Sequence, residues 1–438
     1  MKKLVVLGAG ESGIGTAILG MKQGYEVFVS DKGQIAHKYK SELETLGIEF
    51  EQGQHTEDKI LQADEVMKSP GIPDKAEIIK KIRAKGIPTF SEIEFAARYT
   101  KANIIAITGS NGKTTTANLI AHLLKTGGLE VGLAGNVGYS FAKMVAEDDK
   151  AIYVLELSSF QLDGIDTFRP DVSILLNITP DHLDRYDYKM DHYVRSKFRI
   201  MMNQRKDDLF IYNKGDKEIG QFLKHRRLRM ESLPVTEKLY KGGILRCKNK
   251  EKFSMLRAHL KGPHNWLNAY CAVEAALYFG VESKEIQTGL NTFINAPHRL
   301  ESFANLNGVD YINDSKATNV DSVYWALLAM TKPVVLILGG LDKGNDYTQI
   351  EKLVSQKVKA IVCLGADNHK LLEFFSPIVK IIEETKSAKE AVQVANKYAE
   401  QGDVVLLSPA CASFDLFKNY EDRGNQFKEA VKGENLKP

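Results

Sequence analysis

The stretch of this chain with the plainest chemical meaning is Gly109-Ser110-Asn111-Gly112-Lys113-Thr114-Thr115. A β-branched run over 104–108 precedes it and a helical pattern over 117–125 follows. Small residues between a strand and a helix let backbone N–H groups close around phosphate, and the helix N-terminus favours an anion. The common phosphate loop places its first glycine five positions before the second. Here that position is Ile107, so the loop is a compact G-x-x-G-K-T-T form. Lys113 is expected to reach the β- and γ-phosphates and Thr114 to ligate Mg²⁺. Gly109, Asn111, Gly112 and Thr115 complete the expected nucleotide-binding set. The bland alternative is a glycine-rich turn before a surface lysine, and the flanking strand and helix weigh against it.

Other reactive side chains follow. Tyr153-Val154-Leu155-Glu156 is an apolar strand ending in an acid, and an acid at such a carboxyl end can hold Mg²⁺ or position water. His182 sits among carboxylates in Asn177–Asp184, as a candidate metal ligand or a solvated histidine. Lys197 reads locally as a solvated helix lysine. At the start, Gly8-Ala9-Gly10-Glu11-Ser12-Gly13 is a G-x-G-x-x-G turn after a strand, with Asp31 downstream. Taken naively it is a dinucleotide fingerprint, and its secure content is a turn able to accept a diphosphate. Two polar stretches stand late in the chain. One is His298-Arg299 with Asn313-Asp314-Ser315-Lys316-Ala317-Thr318-Asn319, and the other is Ser408–Asp415. Both follow strand-like runs. Their alternative reading is hydrogen-bonded turn chemistry. Cys411, among small neighbours, is expected to be packed.

The elements that must position these groups alternate strand and helix, the pattern of parallel sheets covered by helices. Strands are expected over 4–7, 27–30, 66–68 and 89–90, with helices over 77–85 and 92–99. A second set has strands over 104–108, 151–156 and 172–176 and a helix from about 265 to 278. The basic stretch 214–252 is expected to be an irregular or antiparallel insertion. A third set has strands over 334–338, 360–364 and 404–407. The fold class is α/β, with a Rossmann-like domain over 1–92, a phosphate-loop domain over 93–296 and a second Rossmann-like domain over 297–438. The length fits, since 438 residues divide into about three domains at roughly 150 residues each.

With 43% hydrophobic and 26% charged residues the composition is ordinary for a globular chain. A net charge of +3 argues against a nucleic-acid-binding protein. The four cysteines, Cys247, Cys271, Cys363 and Cys411, form no C-x-x-C pair, so a reducing compartment is expected. Apolar runs are far below the roughly 20 residues of a membrane span. A cytoplasmic protein without membrane insertion is expected, and a monomer, since no coiled coil or long apolar stripe is evident.

Taken together these residues resemble the Mur ligase family. The resemblance covers essentially the whole chain and rests on Gly109–Thr115, Glu156-Leu157-Ser158-Ser159-Phe160-Gln161, Asp181-His182-Leu183-Asp184-Arg185, His264-Asn265, His298-Arg299, Asn313–Asn319 and Ser408–Gly424. The last stretch is similar to the D-glutamate-adding branch. The resemblance implies a first domain that binds UDP in place of NAD, through Glu11, Ser12, Asp31, Lys32, Ser69, Pro70 and Gly71. Gly33 stands where some members carry arginine, with Lys32 beside it. Asn136, Ser158 and Gln161 match positions near the muramoyl group. Asn268, Arg299, Asp314 and Lys316 match the ATP side. Lys316, Thr318, Lys343, Ser413, Phe414 and Tyr420 match the D-glutamate pocket. Lys197 matches a lysine that is carbamylated to a Mg²⁺-binding anion.

The implied reaction is ATP-dependent joining of D-glutamate to UDP-N-acetylmuramoyl-L-alanine through an acyl phosphate. Lys113, Glu156, His182 and Lys197 would be catalytic, and Thr114, Glu156, His182 and Lys197 would hold metal. The rivals are a related amide ligase of the folylpolyglutamate synthase kind, an NAD-dependent dehydrogenase, and a non-catalytic nucleotide-binding protein. The stretch Ser408–Gly424 speaks against the first, and Lys113–Thr115 is unexplained by the second.

Overall fold

In a computed structural model, residues 1–260 and 262–434 are described, the side chains of Pro263, His264 and Glu434 excepted. His264, in one of the stretches quoted above, therefore lies outside the described side chains. By backbone contacts the chain divides into two compact units. One comprises Met1–Arg257 with Leu267–Thr292, and the other comprises Ala258–Trp266 with the residues from Phe293 onward.

The first unit holds two parallel sheets. β1 (Lys3–Leu7), β2 (Glu26–Asp31), β3 (Glu49–Gln52), β4 (Glu65–Lys68) and β5 (Thr89–Phe90) lie in the order β3-β2-β1-β4-β5. β6 (Asn103–Thr108), β7 (Val131–Gly135), β8 (Ile152–Glu156), β9 (Val172–Leu175), β10 (Leu209–Asn213) and β11 (Glu231–Val235) lie in the order β11-β10-β9-β6-β8-β7. In each sheet the strand order reverses at one strand, β1 and β6. The glycine turn and the phosphate loop follow those two strands, at the crevice where open α/β sheets take ligands. The central strands are almost wholly apolar because helices cover both faces.

One apolar core runs through both sheets, from Leu4, Ile14 and Ala17 to Phe141, Tyr153 and Leu155. The helix Glu11–Lys22 meets the helix Phe141–Glu147 there. Gly15 permits the crossing, since a Cβ on it would lie 1.8 Å from Ser140 Oγ.

The expected insertion over 214–252 is corrected in part. Its middle is β11, a parallel edge strand paired with β10, and a helix (Lys217–Leu223) connects the two. Only the end is antiparallel, in β12 (Tyr240–Lys241), β13 (Ile244–Arg246) and β14 (Lys252–Ser254).

The second unit has β15 (Glu301–Leu306), β16 (Val309–Asn313), β17 (Val334–Gly339), β18 (Val358–Leu364), β19 (Ile382–Thr385) and β20 (Val404–Ala410), in the order β15-β16-β20-β17-β18-β19. Only β15 is antiparallel, and β20 is inserted between β16 and β17. No described helix is long and apolar enough to cross a membrane.

Candidate active site

The phosphate loop is laced to the loop after β9. Ser110 Oγ donates to Thr179 O at 2.8 Å and accepts from Thr179 N at 2.9 Å. Asn111 N donates to Asn177 Oδ1 at 2.8 Å, and Asn177 Nδ2 donates to Asn111 O at 3.0 Å. These bonds hold the loop open over the start of the helix Lys113–Thr126. Gly112 sits in the left-handed region at φ 85°, and a Cβ there would lie 2.7 Å from Asn268 Oδ1. Glycine is thus required both by conformation and by the close approach of Asn268.

Three of the expected catalytic groups converge on this loop. Thr114 Oγ1 donates to Glu156 Oε2 at 2.7 Å, and Asn136 Nδ2 donates to Glu156 Oε1 at 2.9 Å. Glu156 is only 2% exposed. Lys113 Nζ folds back to the carbonyl oxygens of Gly109 and Ser110, both at 2.8 Å. Lys197, read locally as a solvated lysine, is buried and donates to Gly109 O. Burial, aided by the charge of Lys113, pushes the Lys197 amine well below the ordinary lysine range. Its Nζ also stands 4.6 Å from the centre of the Tyr193 ring.

His182 holds a left-handed backbone, φ 52°, ahead of a short turn at Leu183–Arg185. Its Nε2 is 3.6 Å from Asp181 Oδ2, and its ring meets Phe160 edge-on. Arg185 stacks over Phe160 and donates to Pro70 O at 3.3 Å, so the His182 loop reaches the Ser69–Gly71 turn of the first sheet.

Ser158 and Gln161 form a capping box. Gln161 N donates to Ser158 Oγ, and Ser158 N donates to Gln161 Oε1 at 3.0 Å. The pair fixes the helix start after β8. In the first sheet, Asp31 Oδ2 accepts from Ala9 N and Asp31 Oδ1 accepts from Gly33 N, each at 2.7 Å. A carboxylate so engaged shapes the turn, which the naive fingerprint did not anticipate. Glu11 accepts from Tyr39 Oη at 2.9 Å, Ser69 N donates to Leu7 O, and Lys32 is exposed.

In the second unit, both polar stretches lie at strand ends. Asp314, just after β16, accepts from Ser408 Oγ at 2.9 Å and from Leu300 N at 3.1 Å. Burial pushes its carboxyl up to about 7. Lys316 Nζ lies 3.6 Å from the centre of the Tyr420 ring, and Thr318 and Lys343 are exposed. Ser413 Oγ is buried without a hydrogen-bond partner, beside the 67% exposed ring of Phe414. Cys411 is buried as expected, and its thiol is pushed up to about 11.

One organiser was not singled out beforehand. Arg423 is 1% exposed, and it donates to Ser315 O at 2.8 Å, Ser315 Oγ at 3.0 Å and Cys411 O at 3.1 Å. It ties the loop after β16 to the loop after β20. Its place inside Ser408–Gly424 was the available signal.

A compact phosphate loop at the switch point of a parallel sheet, with a buried acid at the end of the strand paired beside it, defines a nucleoside-triphosphate-dependent α/β enzyme. The chain belongs to the Mur ligase family. It matches the MurD-like N-terminal domain of Mur ligases over residues 2–91, the Mur ligase middle domain over 107–276 and the Mur ligase glutamate ligase domain over 298–411. The UDP-N-acetylmuramoylalanine–D-glutamate ligase of Christiangramia forsetii is 53% identical to it, covering 98% of this chain and 99% of that one. The ligase of the same name from Bacteroides fragilis is 50% identical, over 99% and 100%. Among solved structures, a UDP-N-acetylmuramate–alanine ligase from Thermotoga maritima shares the fold at TM-score 0.62 and 19% identity, covering 99% of this chain and 100% of that one. A Mycobacterium tuberculosis folylpolyglutamate synthase complexed with ADP and AMPPCP shares it at 0.58 and 13%, covering 77% and 92%. The fold therefore spans both ligase kinds, and the sequence relatives separate them.

Proposed function

We propose that this protein is an ATP-dependent ligase that joins D-glutamate to UDP-N-acetylmuramoyl-L-alanine in peptidoglycan precursor synthesis. The observation that carries the reading is the meeting of Lys113, Thr114, Glu156 and Lys197 around one phosphate loop, in a chain about half identical to ligases of that name. The chain is divided as 1–92 for the UDP-linked precursor, 93–296 for ATP and 297–438 for the amino acid. It works as a monomer in the cytoplasm.

The precursor carboxylate attacks the γ-phosphorus, and ADP leaves. The amine of D-glutamate then attacks the acyl carbon and phosphate departs, the amine losing its proton. Negative charge gathers on oxygen in both steps, so fixed cations and backbone donors contribute most. Lys113 turns from the Gly109 and Ser110 carbonyls to the phosphates. Asn136, Ser158 and Gln161 orient the muramoyl end, and Ser12 with Ser69–Gly71 receives the diphosphate. Asn268, Arg299 and Asp314 serve the nucleotide. Lys316, Thr318, Lys343, Ser413, Phe414 and Tyr420 receive D-glutamate.

Thr114 Oγ1 and Glu156 Oε2 are hard oxygen donors 2.7 Å apart, which suits Mg²⁺. His182 and a carbamylated Lys197 would hold a second ion. The buried Lys197 amine, pushed well below the ordinary lysine range, fits that modification, because the free amine is the form that adds CO₂. When bound, the ions neutralise charge on the transferring phosphoryl group.

Phosphate release from Mg-ATP tests the reading, with UDP-N-acetylmuramoyl-L-alanine and one amino acid at a time. Release that requires both the precursor and D-glutamate is expected. Release with another amino acid overturns the specificity, and ATP binding without turnover overturns the enzyme.

A further inference from the structure

The short helix Glu92–Ala97 joins the first sheet to the second and carries two buried glutamates. They lie about 200° apart around the helix and face different neighbours. Glu94 is fully engaged. Its Oε2 accepts from the backbone N–H groups of Asp166, Thr167 and Phe168 at 2.8, 3.0 and 2.9 Å, and its Oε1 accepts from Thr167 Oγ1 at 2.6 Å. Glu92 is different. Its Oε1 accepts from Ser140 Oγ and from Ala142 N at 3.0 Å, whereas its Oε2 is buried with no hydrogen-bond partner.

Ser140 caps the helix Phe141–Glu147, accepting from Lys143 N at 3.1 Å. That cap ends the loop that begins at Asn136, whose side chain holds Glu156. On its other side Glu92 nears the first turn of the helix Glu11–Lys22. Burial pushes the Glu92 carboxyl up on balance, and the Ser140 and Ser12 hydroxyls pull against it, although the Glu92–Ser12 pair falls short of hydrogen-bond geometry. A purely structural fastening to Ser140 and Ala142 uses Oε1 alone. It leaves unexplained a buried oxygen whose desolvation is costly.

We propose that Glu92 is a positioning residue for the UDP-linked substrate: it holds the Ser140 cap and steadies Ser12, and so sets the diphosphate turn against the loop that carries Asn136. The inference rests on the ligase reading above. Glu92 touches no substrate. Backbone N–H groups of the turn bind the anion, and Glu92 takes the Ser12 hydroxyl when that turn closes.

Steady-state kinetics of the full-length protein decide it, with each substrate varied in turn. E92A is expected to raise KM for the UDP precursor roughly tenfold, the size of one hydrogen bond to a charged group, with kcat and the KM values for ATP and D-glutamate within about twofold. E92Q, which keeps the shape and the Oε1 bonds, is expected to stay within about threefold of the parent. S12A is expected to raise the same KM, and S12A with E92A together no further than about twofold beyond E92A, as for groups acting on one contact. E94Q is expected to lower Tm and to leave the ratio of the three KM values unchanged.

An E92A protein whose KM values are all unchanged, or all raised together, overturns the proposal. Should E92A not fold, S12A and E92Q carry the test, and an S12A protein with the parent's KM for the precursor overturns it. A parent protein that releases no phosphate with the precursor and D-glutamate overturns the ligase reading instead, before any variant is compared.

Discussion

Lys113 and Lys197 bring their amine nitrogens to the same acceptor, the carbonyl oxygen of Gly109, each at 2.8 Å. Burial makes Lys197 costly to charge, and the repulsion of two lysines on one oxygen adds to that cost. The outcome is an amine pushed well below the ordinary lysine range beside the phosphate loop. Carbamylation, proposed above, would convert it to an anion, and its repulsion with Lys113 would become attraction. Protein equilibrated with carbon-13-labelled bicarbonate near neutral pH is expected to show a carbamate carbonyl resonance that K197A lacks. K197A is expected to lose activity by roughly ten- to a hundredfold, the range seen when an ion-orienting group is removed. A parent protein without the resonance, fully active when CO₂ is excluded, would sink the idea.

Glu156 accepts from Thr114 through one oxygen and from Asn136 through the other. Glu156→Gln keeps the size and removes the charge. It also turns one side-chain acceptor into a donor that faces another donor. The expected result is a Mg²⁺ requirement shifted to higher concentration and a kcat lower by roughly a hundredfold or more. Titration of activity against Mg²⁺ at saturating substrates checks this, and an unchanged Mg²⁺ midpoint counts against Glu156 as a ligand.

Much of this was legible in the sequence, and the reasons are local. Gly109–Thr115 is contiguous, so strand, loop, lysine and hydroxyl could be named together. Lys197 could not be placed from its own neighbours, because its partner Gly109 lies 88 positions earlier. β11 was missed for a related reason. Its sequence ESLPV contains Pro234 and opens on a charge, which suits only an edge strand, and its edge position is a property of the sheet. Arg423 stood in a recognised stretch, but its role depends on Ser315, a loop brought near only by β20 lying between β16 and β17.

Asp314 connects stability to function. Burial raises its carboxyl from 3.8 to about 7, against the pull of Ser408, Leu300 and Arg299. A folded-state pKa above the unfolded one favours the folded state fully at low pH. That contribution is lost as pH rises from about 4 through about 7. At pH 8 the ionised group therefore burdens the folded protein by up to about 4 kcal/mol, the linkage ceiling for such a shift. Asp314→Asn removes the burden. It is expected to raise Tm at pH 8, to match the parent more closely near pH 4, and to lose most of its turnover. Thermal unfolding of both proteins across that range checks the sign, and a variant less stable at pH 8 contradicts it.

Ser413 allows function to be separated from stability at a single atom. Its hydroxyl is 1% exposed and has no hydrogen-bond partner in the folded chain. A buried donor left unmade costs roughly 1–3 kcal/mol, so Ser413→Ala removes a liability and creates only a very small void. Tm is expected to hold steady or rise. If the hydroxyl is there to meet a carboxylate of D-glutamate, the same variant raises KM for D-glutamate by roughly tenfold, one charge-assisted hydrogen bond, and leaves the KM values for ATP and the UDP precursor alone. A lowered Tm would show that Ser413 has a structural partner after all. A KM for D-glutamate equal to the parent's would remove Ser413 from the amino-acid pocket and leave its burial to be accounted for by packing against the loop after β20.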